Sequence, residues 1–97
     1  MDISVQDLKN RINSNETLNI LDVREVSEYN QANIGAINIP LGTLPDKLDL
    51  LSKYKDSELI VHCKSGRRSA TAQKYLQENG FSNVRNVIGG IDAFLTL

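Results

Sequence analysis

The sequence has few of the residues that build metal sites and disulfide frameworks. Its 97 residues include one cysteine, Cys63, and one histidine, His62. A single cysteine excludes an intramolecular disulfide, and one histidine beside one cysteine is too few for a Cys/His metal cluster. We therefore predict a reduced thiol, no metal, and a reducing, cytoplasmic setting.

Long apolar runs and a large excess of one charge are also missing. No stretch approaches the roughly 18 consecutive apolar residues of a membrane span. The opening MDISVQDLKN lacks the basic flank and apolar core of an export signal. The net charge is −1 with 24% charged residues, which argues against charge-driven disorder and against a basic nucleic-acid surface. We expect one domain, residues 1–97, without a membrane or a nucleic acid as partner.

Charge is unevenly placed along the chain. Residues 1–62 carry six Lys and Arg against ten Asp and Glu, net −4, whereas residues 63–97 carry five against two, net +3. Three of those five cations, Lys64, Arg67 and Arg68, follow directly after Cys63. Such a cluster is either a solvated basic turn or an anion-binding site.

Hydrophobic patterning predicts strands and helices that alternate along the whole chain. Strands are predicted at residues 18–23, 35–40, 58–62 and 84–88. Helices are predicted after a Ser4 cap, within residues 24–33, after a Thr43 cap, from Arg67 to Asn79, and after Gly90. This alternation indicates an α/β fold with a parallel sheet and right-handed crossovers.

The stretch VHCKSGRRSATAQKYL places Cys63 between a buried-type strand and a helix. Ligands of open α/β sheets collect at the carboxyl ends of the strands, and a helix start there offers unpaired N–H groups and a positive dipole end. Gly66 lets the loop turn its amides inward. A lone cysteine can be an ordinary buried side chain, but this context favours a nucleophilic thiolate with a lowered pKa.

His62 is an obvious first choice as a base for the adjacent thiol. Neighbouring residues on a strand point to opposite faces of the sheet, however. We therefore expect the imidazole to face away from Cys63 and to have a structural role. Activation of the thiol would then come from the loop amides, the helix dipole and the basic side chains.

Four motifs occur in order along the chain: LDVRE followed by Glu28 and Tyr29, then IGAINIP, CKSGRRS and NVRNVIGG. Together they resemble the rhodanese family, the single-domain sulfurtransferases. The resemblance covers nearly the whole chain. It implies an α/β fold with an open parallel five-stranded sheet flanked by helices on both faces, including an extra short strand near Ile3.

The resemblance also implies a site. Cys63 would be the nucleophile and would carry a sulfane sulfur as a persulfide. The surrounding cradle would consist of Lys64, Ser65, Gly66, Arg67, Arg68 and Ser69. Asp22 and Arg24 are expected close to the loop as supporting residues, with an ion pair or turn-stabilising hydrogen bonds favoured over direct substrate contact.

The implied reaction moves sulfur from thiosulfate or a persulfide donor to a thiol or cyanide. The donor would be a small sulfur-containing anion, the cellular acceptor a small thiol or a protein thiol, and no cofactor is required. Two positions depart from the family pattern: Asn33 stands where histidine is usual, and Phe94 stands where tryptophan is common. These changes remove an imidazole and an indole N–H donor.

Two other functions use similar loops. One is a phosphatase or arsenate reductase built on the same loop. Cysteine-dependent phosphatases that resemble this arrangement use a C-x5-R loop, whereas Arg68 gives C-x4-R here and the loop contains no acid for a leaving group. A non-catalytic binding module predicts loss of the cysteine or of the loop glycine, and both are present. These observations favour the sulfurtransferase.

Overall fold

A computed structural model describes residues 1–97 as a parallel four-stranded sheet with apolar clusters on its two faces. The strands are β1 (Ile20–Asp22), β2 (Ile37–Asn38), β3 (Glu58–His62) and β4 (Asn83–Asn86), in the order β2-β1-β3-β4. The helices are α1 (Val5–Asn13), α2 (Val26–Gln31), α3 (Arg67–Glu78) and α4 (Gly90–Leu95). A 3₁₀ segment, Leu41–Tyr54, connects β2 to β3. None of these helices is long and apolar enough to span a membrane.

The alternation of side chains along β3 divides the core into two clusters. Leu59 and Val61 pack into the larger cluster, which the 3₁₀ segment and α3 cover. Ile60 points the other way and packs with Leu8 of α1. Cys63 belongs to the larger cluster and is 1% exposed. The thiol position is therefore part of the core as well as the start of a loop.

Local signals for helix ends are confirmed. Ser4 Oγ accepts the Asp7 N–H at 3.1 Å and caps α1. After α3, Gly80 has a φ of +93°, and the Phe81 N–H reaches back to the Leu76 carbonyl at 3.1 Å. This is a Schellman closure, which satisfies a carbonyl that the helix end would otherwise leave without a donor.

The expectation of a fifth strand near Ile3 is wrong. Ile3 forms only an isolated parallel bridge with Val87. Its N–H donates to the Asn86 carbonyl and its carbonyl accepts from Ile88, both at 2.9 Å. The chain then enters α1 at Val5, so the pairing stops after one residue. The sheet accordingly has four strands.

The predicted Thr43 helix cap is also wrong. The segment starts from Pro40, and Thr43 Oγ donates to the Pro40 carbonyl at 2.9 Å instead of accepting an amide. The turns that follow are 3₁₀, since Pro45 lacks an N–H and Gly42 lowers helix propensity. Leu44 and Leu51 of this segment are nevertheless buried in the larger cluster.

Both departures from the family pattern have structural contacts. Asn33 Nδ2 donates to the Tyr29 carbonyl and Asn33 Oδ1 accepts the Gly35 N–H, each at 3.0 Å. Phe94 packs against the smaller cluster, with the Lys9 ammonium 5.6 Å from its ring centre. Asn33 thus holds the turn after α2, and Phe94 docks α4.

Candidate active site

The sulfur of Cys63 lies inside the loop that links β3 to α3. Its Sγ accepts the Gly66 N–H at 3.1 Å and lies 3.3 Å from the Ser69 hydroxyl, which is placed to donate to it. Gly66 has a φ of +106°, a conformation that side-chain-bearing residues rarely adopt. The glycine therefore allows the loop to turn an amide toward the sulfur.

Two opposing effects set the acidity of the Cys63 thiol. Burial raises its pKa because a thiolate is poorly solvated there. Hydrogen bonds from the Ser69 hydroxyl and from the amides of Ser69, Gly66 and Ser65 favour the thiolate and outweigh burial. The net result is a lowered pKa for Cys63, with hydrogen-bond donors as the main favourable cause.

The three loop cations differ in their surroundings. Lys64 Nζ is 3.2 Å from Asp92, and the Arg68 guanidinium pairs with Glu28 at 2.6 Å. Arg67 is exposed and makes no salt bridge. We expected all three cations to attract an anion. Acidic residues of α2 and α4 pair with two of them, so Arg67 is the only one of the three without an acidic partner. Arg68 remains close enough to the sulfur for a Cys63 thiolate to raise the arginine's pKa.

Asn86, at the end of β4, forms hydrogen bonds with the loop residue Gly66 and with Ser69. Its Nδ2 donates to the Gly66 carbonyl at 3.1 Å, and its Oδ1 accepts from the Ser69 hydroxyl at 2.5 Å. Sequence reasoning did not identify this residue. A signal was present, since Asn86 shares a strand face with the buried Val84 and is a polar residue where a core side chain is expected.

The start of α4 closes against the backbone of the same loop. The N–H groups of Ile91 and Asp92 donate to the carbonyls of Cys63 and Lys64 at 2.9 and 3.0 Å. A Cβ at Gly90 would collide with both of those carbonyls, and the φ of Gly90 is +61°. Gly90 is therefore the residue that permits this close approach, a function that the sequence analysis did not assign to it.

Asp22 and Arg24 form a buried ion pair beside the loop. Arg24 Nη2 lies 2.7 Å from Asp22 Oδ2, and the two side chains are 5% and 0% exposed. Arg24 also donates to the carbonyls of Glu28 and Ala32, which secures α2. This is the ion pair that we expected for the two residues.

His62 faces Asp22 in the sheet register, on the face opposite the larger cluster. Its Nε2 is 3.6 Å from Asp22 Oδ2 and makes no hydrogen bond, while Nδ1 is 3.3 Å from the carbonyl oxygen of Cys63. Burial lowers the pKa of His62 despite the nearby carboxylate. The imidazole contacts the backbone of Cys63 rather than its sulfur.

The surface of the protein has two clefts. The larger, about 300 Å³, is mostly apolar in its lining and contains no residue of the Cys63–Arg68 loop. The smaller, about 210 Å³, is lined by Lys64 together with Glu28 and Asp92, the acids that pair with the loop cations. The smaller cleft is thus the opening that adjoins the loop.

Comparisons with known proteins identify the family of this chain. Residues 4–97 match the family model of the Rhodanese-like domain. A Bacillus subtilis (strain 168) protein named "Putative sulfurtransferase YtwF" is 42% identical over 94 residues, which are 96% of this chain and 88% of that protein. A second protein of that organism, "Putative sulfur carrier protein YrkF", is 41% identical over 91 residues, 93% of this chain. This chain spans about half of its length, 48%.

Solved structures agree with the sequence match. The crystal structure of a rhodanese-like domain protein from Staphylococcus aureus superposes with a TM-score of 0.86 at 35% identity, over 97% of this chain and 91% of that one. The shared features include the parallel α/β sheet, so the agreement extends from sequence to fold. This chain belongs to the rhodanese-like domain family.

Proposed function

We propose that this protein is a sulfurtransferase that carries a sulfane sulfur on Cys63 as a persulfide. The observation that carries the proposal is the hydrogen bonding of Sγ, which lies within reach of the Gly66 amide and the Ser69 hydroxyl. Donors aimed at a sulfur favour the thiolate, which is the nucleophilic form of cysteine. The names of the two Bacillus relatives, a sulfurtransferase and a sulfur carrier, support the same chemistry.

The reaction proceeds in two steps that share one enzyme intermediate. The Cys63 thiolate first attacks the outer sulfur of thiosulfate, forming a new S–S bond while the donor's S–S bond breaks and its electron pair leaves with sulfite. An acceptor thiolate then attacks the outer sulfur of the persulfide, and Sγ departs as a thiolate. With no second cysteine, the chain cannot resolve its persulfide as an internal disulfide.

The loop residues have three roles in this proposal. The backbone amides of Ser65, Gly66 and Ser69 and the Ser69 hydroxyl stabilise charge on sulfur, as preorganised donors do in other active sites. Arg67 provides the cation for an anionic donor, since it is the loop cation without an acidic partner. Arg68, tied to Glu28, holds the shape of the loop. The acceptor is a small thiol or a protein thiol.

Phosphoryl transfer is less well supported by the same loop. An arginine that binds a phosphoryl group turns the paired terminal N–H groups of its guanidinium toward the phosphoryl oxygens. In Arg68, Nη1 and Nη2 both donate to the Glu28 carboxylate, at 2.6 and 2.9 Å, and this carboxylate also balances the charge of the arginine. We further propose that residues 1–97 form one domain that acts in a reducing compartment, the cytoplasm, where a persulfide-bearing thiol is regenerated by other thiols.

Intact-mass measurement after incubation with thiosulfate tests the proposal. We expect a gain of one sulfur atom that a thiol reductant removes, and no gain for Cys63→Ser or Cys63→Ala. Because Cys63 lies in the core, circular dichroism and thermal unfolding must show that both variants are folded. Sulfur uptake by a variant would contradict the assignment of Cys63. Release of phosphate from an aryl phosphate without persulfide formation would favour the phosphatase instead.

A further inference from the structure

The Ser69 hydroxyl lies between two acceptors that it cannot satisfy together. Its Oγ is 3.3 Å from Cys63 Sγ and 2.5 Å from Asn86 Oδ1. A serine hydroxyl carries a single hydrogen, so it donates to one of these atoms at a time. The Ser69 side chain is buried, with 0% exposure, which keeps bulk water from supplying a second donor.

The orientation of the Asn86 amide is fixed from its other side. Its Nδ2 donates to the Gly66 carbonyl at 3.1 Å, and a carbonyl can only accept. Turning the amide over would set two oxygens against each other at Gly66. Asn86 Oδ1 is therefore held toward Ser69, as a permanent alternative acceptor for the hydroxyl hydrogen.

The preferred acceptor depends on the chemical state of Cys63. When Sγ is a thiol or is bonded to a second sulfur, it is a weak neutral acceptor, and the amide oxygen of Asn86 is the better partner for Ser69. When Sγ is a thiolate, its bond to the hydroxyl becomes charge-assisted and stronger than a neutral one. The hydrogen of Ser69 then turns from Asn86 to the sulfur.

We propose that Asn86 is a positioning residue that holds the Ser69 hydroxyl hydrogen while Cys63 carries sulfur and releases it to Sγ as that sulfur leaves. This catalytic consequence rests on the proposed function. An acceptor thiolate attacks the outer sulfur of the protonated persulfide, the S–S bond breaks, and its electron pair remains on Sγ. The Ser69 O–H turns toward Sγ without giving up its proton.

This exchange favours the sulfur-bearing state of Cys63 over the free thiolate. Because Ser69 gives up its hydrogen bond to Asn86 when it turns toward Sγ, the leaving thiolate gains only the difference between the two bonds. Without Asn86 the hydroxyl would give up a weaker contact with neutral sulfur, so the thiolate would gain more stabilisation and the step would be faster.

The competition has a measurable consequence for the acidity of the thiol. The charged and titratable groups near Cys63 are Arg68 with its partner Glu28, Lys64 with its partner Asp92, the unpaired Arg67, the Asp22–Arg24 pair and His62. Substitutions at Asn86 and Ser69 leave all of these in place. Their contribution to the pKa of Cys63 therefore cancels in a comparison of four proteins.

The test is a double-mutant cycle on the pKa of Cys63, measured from the pH dependence of alkylation. The four proteins are the unchanged chain, Asn86→Ala, Ser69→Ala and the double variant. The effect of Asn86→Ala on the pKa of Cys63 is compared in two backgrounds, with Ser69 present and with Ser69→Ala. We expect the change to be lower by about 0.5 to 1 pKa unit in the background that keeps Ser69. Any effect of Asn86 through Gly66 is common to both backgrounds and cancels.

The sign of the coupling between Asn86 and Ser69 shows how Asn86 affects the pKa of Cys63. A coupling of zero would mean that Asn86 acts through Gly66 alone, and an upward coupling would mean that Asn86 merely holds Ser69 on the sulfur; either result overturns the proposal.

Asn83→Ala, at an exposed position of the same strand, is the matched control and should leave the pKa unchanged. If Asn86→Ala does not fold, Asn86→Val removes the same acceptor with a side chain suited to a strand.

This measurement does not depend on sulfur transfer. Failure of the unchanged protein to take up sulfur from thiosulfate would overturn the proposed function and leave the coupling intact. Absence of coupling in a protein that does take up sulfur would overturn the inference about Asn86 alone.

Discussion

The guanidinium of Arg68 donates two hydrogen bonds to the carboxylate of Glu28, forty residues earlier in the chain, at 2.6 and 2.9 Å. The hydrogen bonds from Arg68 lower the pKa of Glu28 to about 2. The pair connects α3, at the end of the loop, to α2 on a different part of the sheet. Arg68 is thereby committed to holding the loop, which leaves Arg67 as the cation available to an anionic substrate.

Replacing Arg67 should weaken the use of thiosulfate selectively. An exposed cation contributes about 0.5 to 1 kcal/mol near a charged ligand, so Arg67→Gln should lower kcat/KM by roughly two- to fivefold. The loss should be smaller for a monoanionic or uncharged persulfide donor, and added salt should reproduce it in the unchanged protein. Steady-state kinetics with both donors provide the measurement.

Lys74→Gln is the matched control for Arg67, because Lys74 is an exposed cation on the same helix but away from the loop. It should leave both donors unaffected. Equal losses for the two variants would show that only the overall charge of the protein matters.

Gly90→Ala should destabilise the protein and impair the loop together. The new Cβ would collide with the carbonyls of Cys63 and Lys64, at a backbone φ of +61°. Left-handed strain and overpacking together predict a cost of about 2 to 4 kcal/mol. Urea denaturation measures that cost, and alkylation kinetics report whether the thiol has become less acidic.

Gly42→Ala provides the comparison for Gly90. No atom lies within 4 Å of the position that a Cβ would take at Gly42, and the φ of this residue is not in the left-handed region. This variant should unfold at nearly the same urea concentration as the unchanged protein. Equal destabilisation by the two substitutions would contradict the close approach of α4 to the loop.

Much of this site follows from sequence because its signals are local. Within a few residues the sequence has a buried strand, a cysteine, a glycine and the start of a helix. The structure has the same elements in the same order. The cap at Ser4 and the closure at Gly80 are local in the same sense. Spacing and residue type alone are enough to predict such features.

The parts that sequence reasoning missed are contacts between distant residues. Glu28 meets Arg68 across forty positions, and Asn86 meets Ser69 across seventeen. Periodicity carries no information about which charged or polar residue will face another once the chain has folded. The prediction of an extra strand near Ile3 was wrong for a different reason. The family resemblance implied a strand there, but α1 begins at Val5 and the pairing ends after one residue.

Stability should fall in acid as Glu58 loses its two arginine partners. Its carboxylate accepts from Arg11 at 2.7 and 2.8 Å and from Arg85 at 2.8 Å, and these hydrogen bonds lower its pKa to about 2 from the ordinary value of 4.5. A lowered pKa contributes stability above pH 4.5 that is lost as the pH falls toward 2.

Glu58→Gln should therefore cost about 1 to 2 kcal/mol at neutral pH and progressively less below pH 4.5. Urea denaturation across this range gives the difference between variant and unchanged protein. Glu78→Gln, at an exposed acid without a salt bridge, should show no such convergence. A difference for Glu58→Gln that stays constant down to pH 2 would exclude the ion-pair origin.

His62 should impose a second, separate pH dependence on stability. Burial lowers its pKa below 6.5, so below that pH the unfolded chain binds a proton that the folded protein excludes. Stability must then rise with pH up to about 6.5 and level off above it. Because the chain has a single histidine, His62→Leu should flatten the slope of unfolding free energy between about pH 5 and 6.5. A slope that survives this substitution would assign the pH dependence to other groups, and a slope of opposite sign in the unchanged protein would show that the folded state holds the imidazole protonated against Asp22.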